Sequence, residues 1–103
     1  MGLRENLQLM LERGQDSPLL RYSLGLECLK AGDLLAAIDH LRQAVEQNPG
    51  YSAAWKALGE AHALAGSPER AAEIYELGIA AAQKSGDIQA AKEMSVFLKR
   101  LRR

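Results

Sequence analysis

Apolar residues along this chain recur at helical spacing. Ala37, Leu41 and Ala44 stand at i, i+4 and i+7, and so do Leu3, Leu7 and Met10. Trp55, Leu58, Gly59 and His62 fall within one helical stripe about 100° wide. Ile88, Ala91, Met94 or Ser95, Leu98 and Leu101 form another. Turn-forming clusters separate these runs: Gly14 to Ser17, Gly32-Asp33, Asn48 to Tyr51, Gly66-Ser67 and Ser85 to Asp87. Ser17-Pro18 and Ser67-Pro68 each place an N-cap residue before a proline at the first helical position, where the missing N–H costs nothing. Asp33 and Asp87 are caps of the same kind. The pattern predicts six helices, over 2–13, 18–31, 34–47, 52–65, 68–84 and 87–101.

The stripes repeat. Leu24-Gly25 returns 34 residues later as Leu58-Gly59, and Gly32-Asp33 returns as Gly66-Ser67. Ala37, Leu41 and Ala44 become Ala71, Tyr75 and Gly78 going forward, and Leu3, Leu7 and Met10 going back. A fixed period in this range marks a stacked array of helical hairpins. The pattern fails at Lys92-Glu93, where Leu-Gly would stand, as a terminal cap requires. Gly25 and Gly59 weaken their helices by about 1 kcal/mol relative to alanine. Their expected use is close approach, with the paired helix packing on bare backbone. Trp55 is expected to be the largest single anchor of the core.

The second copy reads Trp55, Leu58, Gly59, His62, Ala71, Tyr75, Gly78, and the first reads Arg21, Leu24, Gly25, Cys28, Ala37, Leu41, Ala44, Pro49. This pattern resembles the tetratricopeptide repeat (TPR), a 34-residue helix-turn-helix with a Trp-x2-Leu-Gly-x2-Tyr, Ala-x3-Phe-x2-Ala and Pro signature. Arg21 departs from Trp, Cys28 and His62 from Tyr, Gly78 from Ala and Gln83 from Pro. The resemblance implies an all-α superhelix, or solenoid, of about six antiparallel helices. It divides a single domain, 1–103, into a half repeat (2–13), repeats over 18–51 and 52–85, and a capping helix (87–103).

Composition agrees with helix: 48% of residues are hydrophobic, only 5% are aromatic and three are proline. Thirteen acidic and thirteen basic residues cancel, so no global field draws the protein toward nucleic acid or anionic lipid. The basic tail LKRLRR suits a helix C-terminus, and a nucleic-acid accessory role through it is a minor alternative. Glu69, Glu73 and Glu76 read as a solvated face. No run is long and apolar enough to span a membrane, and the opening MGLRENLQLML does not read as a secretory signal. With the lone Cys28, these features lead us to expect a cytoplasmic protein.

Chemistry is scarce. His40 and His62 are the only histidines, and Cys28 and His62 occupy equivalent places on the stripe facing the paired helix, where they read as core. Neither metal-ligand spacing nor a phosphate loop is present, so no metal, no cofactor and no enzymatic activity is expected. The resemblance instead implies a concave groove, lined by the first helix of each repeat, that takes a peptide or helix of another protein. The positions beside the core stripe are Tyr22, Leu26 and Leu29; then Lys56, Glu60 and Ala63; then Ala90, Met94 and Phe97. A subset of the family holds C-terminal carboxylates with Lys-x3-Asn. Tyr22/Leu26 and Lys56/Glu60 stand at that spacing here, so no such clamp is expected, and Lys56 should pair with Glu60. The leading function is therefore a protein-binding adaptor module. Self-association, including a homodimer through the last helix, is the alternative.

Overall fold

A computed structural model describes residues 2–103. It contains α1 (Leu3–Glu12), α2 (Pro18–Lys30), α3 (Leu34–Gln47), α4 (Ser52–Leu64), α5 (Pro68–Ser85) and α6 (Ile88–Leu101). Every helix end lies within one residue of the boundary predicted from the sequence. No strand is present among the described residues.

Local chemistry sets these boundaries. Ser17, Asp33 and Asp87 each cap a helix, accepting from the amides of Leu20, Ala36 and Ala90 at 3.1, 3.4 and 3.1 Å. Ser67 also occupies an N-cap position, but its hydroxyl makes no capping bond. The backbone explains the difference. Ser17 is fully extended at ψ 160°, whereas Ser67 has ψ 71°. Asp33 and Asp87 share that tighter geometry, at ψ 79° and 76°, and their longer side chains still reach. In the turn from α2 to α3, Gly32 adopts φ +78°, which ends one helix just before Asp33 caps the next.

Consecutive helices pack on one another, and the first helices of successive hairpins, α2, α4 and α6, also touch in series. The backbones of the second helices α3 and α5 stay farther apart. The array therefore fans outward on one side and closes up on the other, which leaves α2, α4 and α6 lining a concave inner face. The result is a flat slab of 41 × 29 × 17 Å, not a closed bundle.

Two hydrophobic clusters share this slab. Cys28, Leu41, Val45, Leu58 and Ile74 centre the first, and Ala71, Tyr75, Ala82 and Met94 centre the second. Trp55 borders both but is only half-buried. Its indole Nε1 stays near the surface and donates to the Pro49 carbonyl at 2.7 Å. The large side chains with no exposure are Leu24, Leu41, Met94 and Cys28, so the anchoring role expected of Trp55 is distributed among them. His62, expected in the core beside Cys28, is likewise only half-buried.

The glycines do permit close approach: a side chain of the paired helix packs on the bare backbone of each. A Cβ on Gly59 would lie 2.3 Å from Tyr75 Cε1, and one on Gly25 would lie 2.5 Å from Leu41 Cγ. Tyr75 and Leu41 are themselves one period apart, so the same knob fills the same hole twice. Gly78 extends the theme: a Cβ there would meet Met94 Sδ at 2.6 Å and Trp55 Cβ at 2.7 Å.

Arg21 explains how the first repeat does without tryptophan. Its guanidinium reaches back over the preceding turn to Asp16, at 2.8 and 3.0 Å, as the Trp55 indole reaches back to Pro49. It also lies 3.1 Å from His40 Nδ1 on α3. Arg21 and Gln47 both bond Asp16 and hold its carboxyl at about 2, well below the usual carboxylate value. Burial, then the positive Arg21 beside it, lowers His40 below its ordinary value, and burial lowers His62 likewise.

Two outcomes follow. Gly59→Ala should gain about 1 kcal/mol of helix propensity but lose about 1–3 kcal/mol to overpacking against Tyr75. A melting temperature above wild type would show that the ring moves aside freely. For the histidines, a lowered folded pKa means the native state binds fewer protons than the unfolded chain. Stability should therefore be intact above about pH 6.5 and fall as pH drops below it. Urea midpoints should show this decline in wild type, part of it in His40→Gln, and none in His40→Gln/His62→Gln down to about pH 5, where Asp16 is still ionised.

Candidate partner-binding groove

The inner face is built from one side of α2, α4 and α6. On α2, Tyr22, Leu26 and Leu29 are half-buried against the first cluster. Tyr22 stacks obliquely on Tyr51, with ring centroids 5.0 Å apart and planes at 44°. This end of the face is apolar and rigidly backed.

In the middle, Lys56 does not pair with Glu60, as i, i+4 spacing suggested. Its Nζ crosses to Glu93 on α6 at 3.2 Å. The two first helices touch, so the carboxylate on the neighbouring helix competes directly with the one on the same helix. Glu60 is left exposed and makes no ion pair among the described residues.

At the α6 end, Glu60, Ala63, Tyr75, Phe97 and Leu101 line a recess of about 300 Å³. Tyr75 and Phe97 form its aromatic side, with centroids 5.8 Å apart and planes at 46°. Burial, and next the negative Glu60 nearby, push the Tyr75 hydroxyl up to about 12. The guanidinium of Arg100 lies 5.9 Å from the Phe97 centroid.

Of the nine positions read from the sequence, Glu60, Ala63 and Phe97 thus come together in one recess, and Lys56 bridges the centre. Ala90 and Met94 do not lie at the surface. They are 6% and 0% exposed, because the second cluster draws them beneath α6. Tyr75, Leu101 and Glu93 were not among the nine. Tyr75 belongs to the second helix of its hairpin, which lines the outer side of the array. It reaches the inner face only across Gly59, so the glycine was the available signal.

Other polar features are accounted for locally. Glu73 pairs with Arg70 at 2.8 Å, and Glu76 pairs with Arg102 of the basic tail. No group of three or more His, Cys, Asp or Glu side chains is arranged to hold a metal among the described residues. No helix among them is long and apolar enough to cross a membrane.

The family model for the tetratricopeptide repeat matches residues 29–94. A TPR repeat-containing protein of Pseudomonas aeruginosa is 50% identical over 99 residues, spanning 96% of this chain and 94% of that protein. The chain belongs to the tetratricopeptide repeat family. Solved structures superpose over most of its length. A Bordetella parapertussis protein solved in solution matches 98% of this chain and 88% of its own, at TM-score 0.85 and 42% identity. The crystal structure of MamA matches 95% of this chain and 56% of its own, at TM-score 0.75 and 28% identity. As a TPR protein, the chain has the fold of a protein–protein interaction module.

The Lys56–Glu93 pair is about a third exposed on each side. Lys56→Met should therefore change unfolding free energy by less than about 1 kcal/mol in denaturant titration. A loss beyond about 2 kcal/mol would make the bridge a structural strut.

Proposed function

We propose that this TPR protein is an adaptor that holds a peptide or helix of another protein along the face formed by α2, α4 and α6. The observation that carries this reading is the distribution of apolar surface on that face. Half-buried Tyr22, Leu26 and Leu29 stand at one end, and the Ala63, Phe97 and Leu101 walls of the recess stand at the other. An amphipathic helix or extended segment presents apolar side chains at intervals that suit two such patches. The charged centre would fix orientation more than it adds affinity.

The proposal is tested by placing a photoreactive benzoylphenylalanine at Leu29 or Ala63 and, as controls, at the exposed Leu35 or Leu77 of the outer helices. Irradiation in cells should cross-link one partner protein from Leu29 and Ala63 and not from the controls. Cross-links confined to Leu35 and Leu77 would place the partner on the convex side and end this reading.

A further inference from the structure

Tyr75 is 4% exposed as a residue, and its hydroxyl, which bonds no other group among the described residues, is not a buried atom but opens to solvent at the recess wall. A ligand that displaces water from the recess must offer this hydroxyl a hydrogen-bond partner or incur the cost of its desolvation. Glu60, on the same wall, has lost its lysine to Glu93 and stands unpaired. Ala63 lies one residue from the end of α4, and Leu101 is the last residue of α6. Both helices therefore direct the negative ends of their dipoles toward this recess. Its remaining surface is Phe97, Leu101 and Ala63, two ring systems and aliphatic carbon in all once Tyr75 is counted.

From this arrangement we infer that the recess is a subsite for a lysine or arginine side chain of the bound segment. The inference rests on the groove reading above and specifies one contact within it. The side chain's methylene stem would lie on Ala63 and Leu101, and its charged head would meet the Glu60 carboxylate, the Tyr75 hydroxyl oxygen and the aromatic faces. The Phe97 ring already holds one cation in this way, the guanidinium of Arg100. A carboxylate in the same place would face Glu60 and two helix C-termini, and an all-apolar side chain would leave both Glu60 and the Tyr75 hydroxyl without a partner.

The test uses the full chain and a random peptide library, with binders mapped by heteronuclear NMR. Peptides that shift the Tyr75 and Phe97 resonances should carry lysine or arginine at one fixed position well above its frequency in the library. Replacing that residue by norleucine, which keeps the stem and removes the charge, should weaken binding about tenfold. Glu60→Gln should weaken the lysine peptide similarly and leave the norleucine peptide unchanged, a coupling read from the double-mutant cycle. Tyr75→Phe, which deletes only the hydroxyl, should weaken the lysine peptide by a smaller factor. Inner-face binders without basic enrichment, or a norleucine peptide that binds as well as its parent, would overturn the cation subsite and leave the groove reading intact. Binders that shift only outer-helix resonances would overturn the groove reading itself.

Discussion

Everything in this molecule depends on one steric fit, a large side chain of the second helix seated over a glycine of the first. Leu41 sits on Gly25, and Tyr75 sits on Gly59. Each glycine weakens its own helix, so the fit must return more in packing than it costs in propensity. It does so by bringing the paired helices close enough to seal alanines between them: Ala37, Ala44, Ala54, Ala61, Ala71 and Ala82 have no exposure at all. A core this rich in alanine has little side-chain volume with which to bridge wide gaps. Close helix pairs are therefore a requirement of this composition.

The inner face follows from the same constraint. Tight hairpins let successive first helices touch while the backbones of the second helices stay farther apart, and an array with unequal spacing of this kind must curve. Curvature brings Lys56 within reach of Glu93 on the next helix. That ion pair is exposed and contributes little to stability. Its consequence is local: it leaves Glu60 uncompensated beside an aromatic recess. The fit also works directly on the site, because the ring that fills the gap over Gly59 is the ring that forms the recess wall.

The fold was legible because its signals are local and repeated. Caps, turn glycines and apolar stripes each recur at one spacing, and agreement between such independent signals is what makes a sequence specify one structure. What the sequence misplaced were consequences of neighbours distant along the chain. Ser67 has the cap residue and the following proline of Ser17, but its backbone takes the tighter form seen before α3 and α6. Lys56 has an acidic neighbour at i+4, but its position in the array offers Glu93 instead. Met94 and Ala90 fall on the predicted groove side by helical counting, yet α6 is rotated so that they bury against α5. Helical period gives the angle between residues on one helix. The rotation of that helix against its neighbours is set by packing and is absent from the period.

The last helix shows how departure from the repeat can serve a purpose. One period after Leu58 and Gly59 stand Lys92 and Glu93. A further helix could not seat a side chain over Glu93 as Tyr75 is seated over Gly59, and Lys92 would lie where Leu24 and Leu58 are buried. Both changes oppose continued stacking in the same geometry, even though Ile88 and Val96 leave apolar surface on this helix, at 65% and 46% exposure. Glu93 is also the residue that takes Lys56 away from Glu60. A single substitution at the repeat's glycine position thus does two things. It removes the seat that another helix would need, and it exposes a carboxylate on the face where a partner would lie. Restoring glycine at this position would do more than extend the stacking surface: it would return Lys56 to Glu60 and alter the charge of the recess.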